Sequence, residues 1–264
     1  MIGCNLSQNY AKVTKLPPLK IGLIGGTDSS NGSGLRADLQ TVETMNCHAI
    51  PAITAITLQN SPQNFRIFPV PPDGLNGQLR ELLNVNLNAI KIGMLPDRSS
   101  VKVVCDFLDA TSCRKVVLDP VHSTSSGHQL ITKDGWDLLL EKLLPRVGLV
   151  TPNLEEAVHM LGQESLNETN PVKLLNQCTG LCSKAILLKG GHNATEWCTD
   201  ILAEKNKPLL EFKRKFINGG GEVRGTGCRL ATAIACSWAK GNRLEYATGQ
   251  AGKYLHEYIL QTVV

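Results

Sequence analysis

A chain of 264 residues, 42% of them hydrophobic, can bury a full core without a disulfide or metal staple. Its net charge of +4 comes from 27 basic and 23 acidic residues spread along the sequence, which excludes a nucleic-acid surface and suits an anionic small-molecule substrate. Nine cysteines, an odd number with several on apolar stretches, point to a reducing, cytoplasmic setting, and no apolar run approaches the roughly 18 residues of a membrane span.

Residues 1–19 carry no hydrophobic signal core and read as a loose tail, leaving 20–264 as a single domain. Lys20–Gly26 is a short apolar run ending in glycines, a buried strand followed by the polar loop Thr27–Gly34. Leu35, Leu39 and Val42 then recur at helical spacing. Ala49–Leu58 is rich in β-formers, and a turn-rich stretch follows as far as Asp73. Leu75, Leu79, Leu82 and Leu83 give an amphipathic helix, Ala89–Met94 a strand, and Val101, Val104, Phe107 and Leu108 another helix.

Lys115–Pro120 is a strand with a carboxylate at its end, followed by the polar loop 121–129 and a leucine-rich helix around Trp136–Leu144. Val147–Val150 and Ala185–Lys189 read as strands, with helices at 153–161 and 174–181 between them. Alternation over Glu196–Phe216 suggests one or two hairpins, and helices close the chain at Cys228–Trp238 and 244–260. Such regular alternation of strand and helix implies a mostly parallel sheet covered on both faces, an α/β fold whose ligands bind beyond the carboxyl ends of the strands. Asp28, Gln59, Met94, Asp119, Asn153 and Lys189 fall at those ends.

The most telling stretch is Gly219-Gly220-Gly221-Glu222-Val223-Arg224-Gly225-Thr226-Gly227-Cys228, which feeds an apolar helix. A glycine-rich loop at a helix start offers unpaired N–H groups and a positive dipole end to an anion, and the same field favours a thiolate at Cys228. That combination points to group transfer from a phosphate donor. Asp119 and Glu156 are either a cap and a dipole partner or the holders of a hydrated Mg²⁺, which needs only one or two carboxylates. Asn153 reads as a cap, and Lys189-Gly190-Gly191-His192 sets a cation before two glycines, apt for a phosphate. There is no P-loop motif and no G-x-G-x-x-G opening the first helix, and Cys178 and Cys182 lack a second pair with zinc spacing. The sequons at Asn5, Asn167 and Asn193 read as chance occurrences in a cytosolic chain.

Taken in order, GGTDSSNGSGLRADL (25–39), TAITLQN (54–60), KIGML (91–95), LDPV (118–121), SG (126–127), TPNLEEA (151–157), KGGH (189–192) and GTGC (225–228) resemble the hydroxymethylpyrimidine/phosphomethylpyrimidine kinases over about 20–259. The resemblance implies a three-layer α/β/α ribokinase-like fold, Mg²⁺ and ATP, and phosphorylation of the pyrimidine precursor of thiamine, with pyridoxal kinases of the Cys-bearing branch as the alternative. A non-catalytic relative of the fold is a further alternative. A homodimer with no nucleic-acid or membrane partner is expected.

Carried over by position, the resemblance implies that Gln59 bonds the pyrimidine edge while Gly26, Asp38, Met94 and Val121 shape its pocket. It puts Asp119 and Glu156 at the metal, Asn153, Lys189, Gly225 and Gly227 at the ATP phosphates, and Cys228 as base, served by the backbone of Gly225, Thr226 and Gly227. The chain departs from the family pattern at Ser29, Asn31, His122, Arg224, Arg229 and Ala231. An arginine pointing inward from 224 or 229 would add positive charge beside the phosphates and favour an acceptor that already carries one; outward-pointing arginines would be solvated.

Overall fold

The structure, a computed structural model, describes residues 17–30, 32–59, 65–124, 126–162, 170–181, 184–190 and 196–263. The tail as far as residue 16, Asn31, Asn60, Cys182, Gly191, His192 and the three sequon asparagines lie outside the described residues.

The strands are β1 (Lys20–Asp28), β2 (His48–Leu58), β3 (Arg66–Pro69), β4 (Ala89–Ile92), β5 (Val116–Leu118), β6 (Leu149–Val150), β7 (Ala185–Leu188), β8 (Trp197–Glu204) and β9 (Leu210–Lys215). Among the described residues they form one sheet in the order β3-β2-β1-β4-β5-β6-β7-β8-β9. Strands β2 to β7 in that order run parallel, β3 and β8 run against them at the two sides, and β9 pairs antiparallel with β8. Because the chain leaves β1 for β2 on one side and returns to β4 on the other, the strand order reverses beside β1. A crevice opens at such a point.

Alternation along the strands sends side chains to two cores. Ile24, Ile90, Ile92 and Leu118 pack with Leu79, Val104 and Leu175 from α2 (Pro72–Leu83), α3 (Arg98–Ala110) and α6 (Pro171–Thr179). Ile21, Leu23, Val117 and Leu187 pack with Leu35, Ile234 and Leu255 from α1 (Gly34–Thr44), α7 (Thr226–Ala239) and α8 (Leu244–Val263). The remaining helices are α4 (Lys133–Leu138), which continues through a π turn at Leu139–Leu143, and α5 (Leu154–Met160). Asp97 and Ser100 close a capping box at the start of α3, and Asn153 and Glu156 do the same for α5.

The stretch after Leu58, expected to be turns, contains β3. Four residues are too few for a periodic signal, and the strand exists through its pairing with β2, Phe68 opposite Ile56 and Ile67 opposite Thr57. A single hairpin fills Trp197–Lys215. No described helix is long and apolar enough to cross a membrane.

The β1–α1 loop and the start of α7 meet through glycine. Gly225, the α7 N-cap, has φ +74°, and a Cβ there would strike the Gly32 carbonyl oxygen. Gly34 has φ +60°, and its Cβ would strike the Gly26 carbonyl. Gly225→Ala and Gly34→Ala should each lose about 1–3 kcal/mol of stability and several degrees of Tm. Gly221→Ala, where a Cβ would meet nothing within 4 Å, serves as the unaffected control in the same melting series.

Candidate active site

The positions read from the sequence at the strand ends all come to one edge of the sheet. A cavity of about 270 Å³ is lined by Asp119, Asn153, Glu156 and Lys189 on one wall and by Gly225, Thr226, Gly227 and Cys228 on the other. A narrow pocket of about 50 Å³ adjoins it, lined by Gly26, Asp38, Gln59, Met94, Val121 and, again, Cys228. Cys228 thus stands between the two. With Gly225 as N-cap, the N–H groups of the first α7 turn, Thr226 to Cys228, lack intrahelical acceptors and face this junction.

Lys189, just past β7, joins the carboxylates. Its Nζ lies 2.8 Å from Asp119 Oδ1 and 3.5 Å from Glu156 Oε2. Burial alone would raise Asp119, but the ammonium groups of Lys189 and Lys91 outweigh it and hold this carboxyl below its usual range. Glu156 has the opposite balance. Burial, offset by Lys189 and reinforced by the Asp119 charge, pushes it up to about 7. The Asn153 cap expected from sequence is present, and Glu156 in the first turn closes it into a box: Asn153 N–H donates to Glu156 Oε2 at 2.7 Å, and Glu156 N–H to Asn153 Oδ1 at 2.8 Å. Two hard carboxylates crowding one cation, one of them reluctant to ionise, form a donor set that a hydrated Mg²⁺ fits.

Of the two atypical arginines, Arg224 points inward. Its guanidinium donates to Ser30 Oγ, to Asp28 Oδ2 at 3.2 Å and to Gln59 Oε1 at 2.6 Å. Gln59 in turn donates through Nε2 to Thr57 Oγ1 at 2.8 Å, so both ends of its amide are engaged. Arg229 turns away from the phosphate wall without being solvated. Only 3% exposed, it donates to Gln40 Oε1 at 2.7 Å and lies 3.9 Å over the Tyr258 ring, joining α1 to α8.

Two expectations need revision. Cys228 does not have a lowered pKa: burial, the largest influence, pushes its thiol up to about 11 despite the attraction of Lys91. Asp38 touches the narrow pocket but is 0% exposed, and its carboxylate is bonded to Lys91 Nζ at 2.8 and 3.0 Å and to Thr232 Oγ1 at 2.7 Å. It supports the pocket floor through those groups.

Sequence reasoning passed over Lys91 itself. The available signal was a charge inside the apolar strand Ala89–Ile92, a placement that demands a buried partner. It also missed an apolar cavity of about 320 Å³ beyond the anion loop, lined by Phe216, Ile217, Leu255 and Ile259, because these residues come together only when the β9 exit folds onto α8. At the family-atypical His122, the ring stacks on His159 at 4.1 Å and meets Trp136 edge-on at 4.9 Å.

The profile of the phosphomethylpyrimidine kinase family matches residues 28–263. The chain belongs to that family. It is 32% identical over 237 residues to the hydroxymethylpyrimidine/phosphomethylpyrimidine kinase of Aquifex aeolicus (strain VF5), covering 89% of this chain and 92% of the relative. A phosphomethylpyrimidine kinase from Clostridium difficile 630 superposes with a TM-score of 0.77 at 27% identity, covering 91% of this chain and 99% of the other. A pyridoxal kinase from Bacillus subtilis, solved as an ADP complex, gives a TM-score of 0.78 at 25% identity, covering 90% of each chain. The family's fold is the ribokinase-like one expected from the motifs, with a mixed sheet between helical layers.

The Glu156 carboxyl has a higher pKa folded than its ordinary 4.5, so the folded state binds its proton more tightly than the unfolded chain does. It contributes stability at acid pH that is lost as pH rises from about 4.5 to about 7. In metal-free buffer, Glu156→Gln should gain on the parent protein across that window, read by thermal melts on either side of it. An offset that does not change with pH would show the carboxyl to titrate normally. Arg229→Ala should cost about 1–3 kcal/mol through lost packing on Tyr258, whereas Arg224→Ala, at a partly exposed site, should cost less than about 1 kcal/mol.

Proposed function

We propose that the chain transfers the γ-phosphoryl group of ATP to the hydroxymethyl oxygen of 4-amino-5-hydroxymethyl-2-methylpyrimidine, to the phosphate of its monophosphate, or to both in turn. The observation that carries this reading is the position of Cys228, on the shared wall of the narrow pocket and the anion cavity. A ring held among Gly26, Met94 and Val121, with its polar edge toward Gln59, presents its hydroxyl to Cys228 Sγ. The sulfur, once ionised, takes the hydroxyl proton as the oxygen attacks phosphorus. The first-turn N–H groups of 226–228 are aimed where charge collects on the transferring group, and Lys189 supplies a nearby cation.

Asp119 and Glu156 are the residues that would hold Mg²⁺, which when bound supplies charge neutralisation between the phosphates. Asn153 Oδ1 is committed to its cap, so its phosphate contact falls to Nδ2. The apolar cavity around Phe216 and Ile259 suits the adenine ring. One continuous sheet from Lys20 to Lys215 supports reading 20–264 as one domain, and the seven free cysteines among the described residues suit a cytoplasmic setting. Exposed Ile56, Leu58 and Phe68 on the β2–β3 edge suit a homodimer contact, which light scattering would register.

The test is an ATP-dependent kinase assay with the hydroxymethylpyrimidine, its monophosphate and pyridoxal as acceptors. Turnover of either pyrimidine above pyridoxal is expected; turnover of pyridoxal alone would move the chain to the second activity of its structural neighbours. Binding without turnover of any acceptor would make it a non-catalytic relative. Cys228→Ala should lower the rate roughly 10²–10⁴-fold while retaining ATP binding. Full activity would remove the base from Cys228. Gln59→Leu should weaken acceptor binding by about 1–3 kcal/mol, roughly five- to over a hundredfold, and leave nucleotide affinity unchanged by calorimetry.

A further inference from the structure

Lys91 is a charge in the middle of an apolar central strand, and the phosphoryl transfer described above does not use it. Its neighbours Ile90 and Ile92 face the core under α2 and α3, so Lys91 points to the opposite face, between α1 and α7. There its ammonium meets Asp38 of α1, which also accepts from Thr232 of α7, and Lys91, Asp38 and Thr232 are each 1% exposed or less. Thr232 follows Cys228 by four residues and shares its helix face one turn further on. The ion pair therefore lies in the layer beneath the thiol, and Lys91, Asp38 and Cys228 line one narrow pocket. Gly93 keeps that space open, since a Cβ on it would come within 2.8 Å of Lys91 Nζ.

A buried ion pair returns little more than the desolvation it costs, and apolar side chains would fill this layer as well or better. Stability alone does not account for it. Its asymmetry does: four charged groups from four elements act on the sulfur, namely Asp38, Lys91, Asp119 and Lys189, and the attraction of Lys91 exceeds the repulsion from Asp38. Both lysines are paired with carboxylates, Lys189 with Asp119 and Glu156 and Lys91 with Asp38, and of the two Lys91 acts more strongly on the thiol.

We propose that Lys91 is the fixed counter-charge of the Cys228 thiolate, with Asp38 and Thr232 positioning its ammonium beneath the sulfur. This rests on the reading of Cys228 as the base. Lys91 acts through Cys228 and is a positioning residue. As the acceptor O–H bond breaks, the S–H bond forms and the oxygen electron pair makes the new bond to phosphorus. The phosphorus–oxygen bond to ADP breaks with its pair leaving on ADP, while Lys91 keeps its proton throughout.

The experiment is alkylation of the ligand-free protein by iodoacetamide across a pH series, with the Cys228 peptide followed by mass spectrometry. Lys91→Met removes the cation from beneath the sulfur and should slow Cys228 alkylation at least about tenfold at neutral pH, one unit of displacement in its titration. Lys91→Arg keeps the charge and should restore most of the rate, and Asp38→Asn should raise it. The acid limb of the kcat–pH profile should move the same way, up for Lys91→Met and down for Asp38→Asn. Where Lys91→Met does not fold, the neutral pair Lys91→Met with Asp38→Asn must still alkylate more slowly than Asp38→Asn alone.

Parental alkylation in Lys91→Met, or equal slowing by Lys91→Met, Lys91→Arg and Asp38→Asn, would overturn the proposal and reduce the pair to packing. Because alkylation needs neither ATP nor acceptor, that failure is separate from failure of the kinase reading, which the acceptor assay alone decides.

Discussion

The site depends on one ammonium shared by two carboxylates. Asp119 ends β5, Glu156 caps α5 after β6, and Lys189 ends β7, so the contact ties three consecutive strand ends at the open edge of the sheet. Two buried carboxylates this close would otherwise repel, and the raised Glu156 shows that even one lysine only partly balances them. The α7 terminus approaches because position 227 is glycine, where a Cβ would lie 3.2 Å from Lys189 Nζ and 3.7 Å from Asp119 Oδ2. The cation thus organises the carboxylates and also sets how near the anion loop can come.

Charge on the other side of α7 follows the same logic at different depths. Lys91 is locked into the floor by Asp38, while Arg224 spans the rim from the anion loop to Asp28 and Gln59. Asp28, whose carboxyl is held below its usual range against burial by bonds from Ser30 and Ser33 and by Arg224, is a permanent anchor for that bridge. An acceptor that needs the Gln59 carbonyl must displace the guanidinium first. At this one position the family-atypical arginine reaches from the rim of the larger cavity to residues that line the narrow pocket.

Most of the fold and the set of strand-end residues could be read in advance, because in a parallel sheet the carboxyl ends are defined by where each apolar run stops. Asp119, Asn153 and Lys189 are each placed by that rule alone, and the capping role of Asn153 by its residue type where the strand gives way to a helix. What was hidden depended on contacts distant in sequence. The partners of Lys91 lie 53 residues away in Asp38, and those of Arg224 lie 165 and 196 residues away in Gln59 and Asp28. The Cys228 environment was misjudged for a related reason: its position on the first turn is local, but the burial that raises it is supplied by the whole sheet.

Strand β1, near one end of the chain, lies third in the sheet and floors the acceptor pocket, whereas Cys228 and its anion loop belong to α7, near the other. During synthesis the nascent chain can lay down every strand of the sheet, most of the narrow pocket and both carboxylates before Cys228 emerges. Arg229 then fixes α7 through Tyr258 of α8, so α7 is secured only when α8 has emerged. On the reading of Cys228 as the base, a chain interrupted before α7 holds most of the narrow pocket yet lacks the group that would take a proton from what it binds.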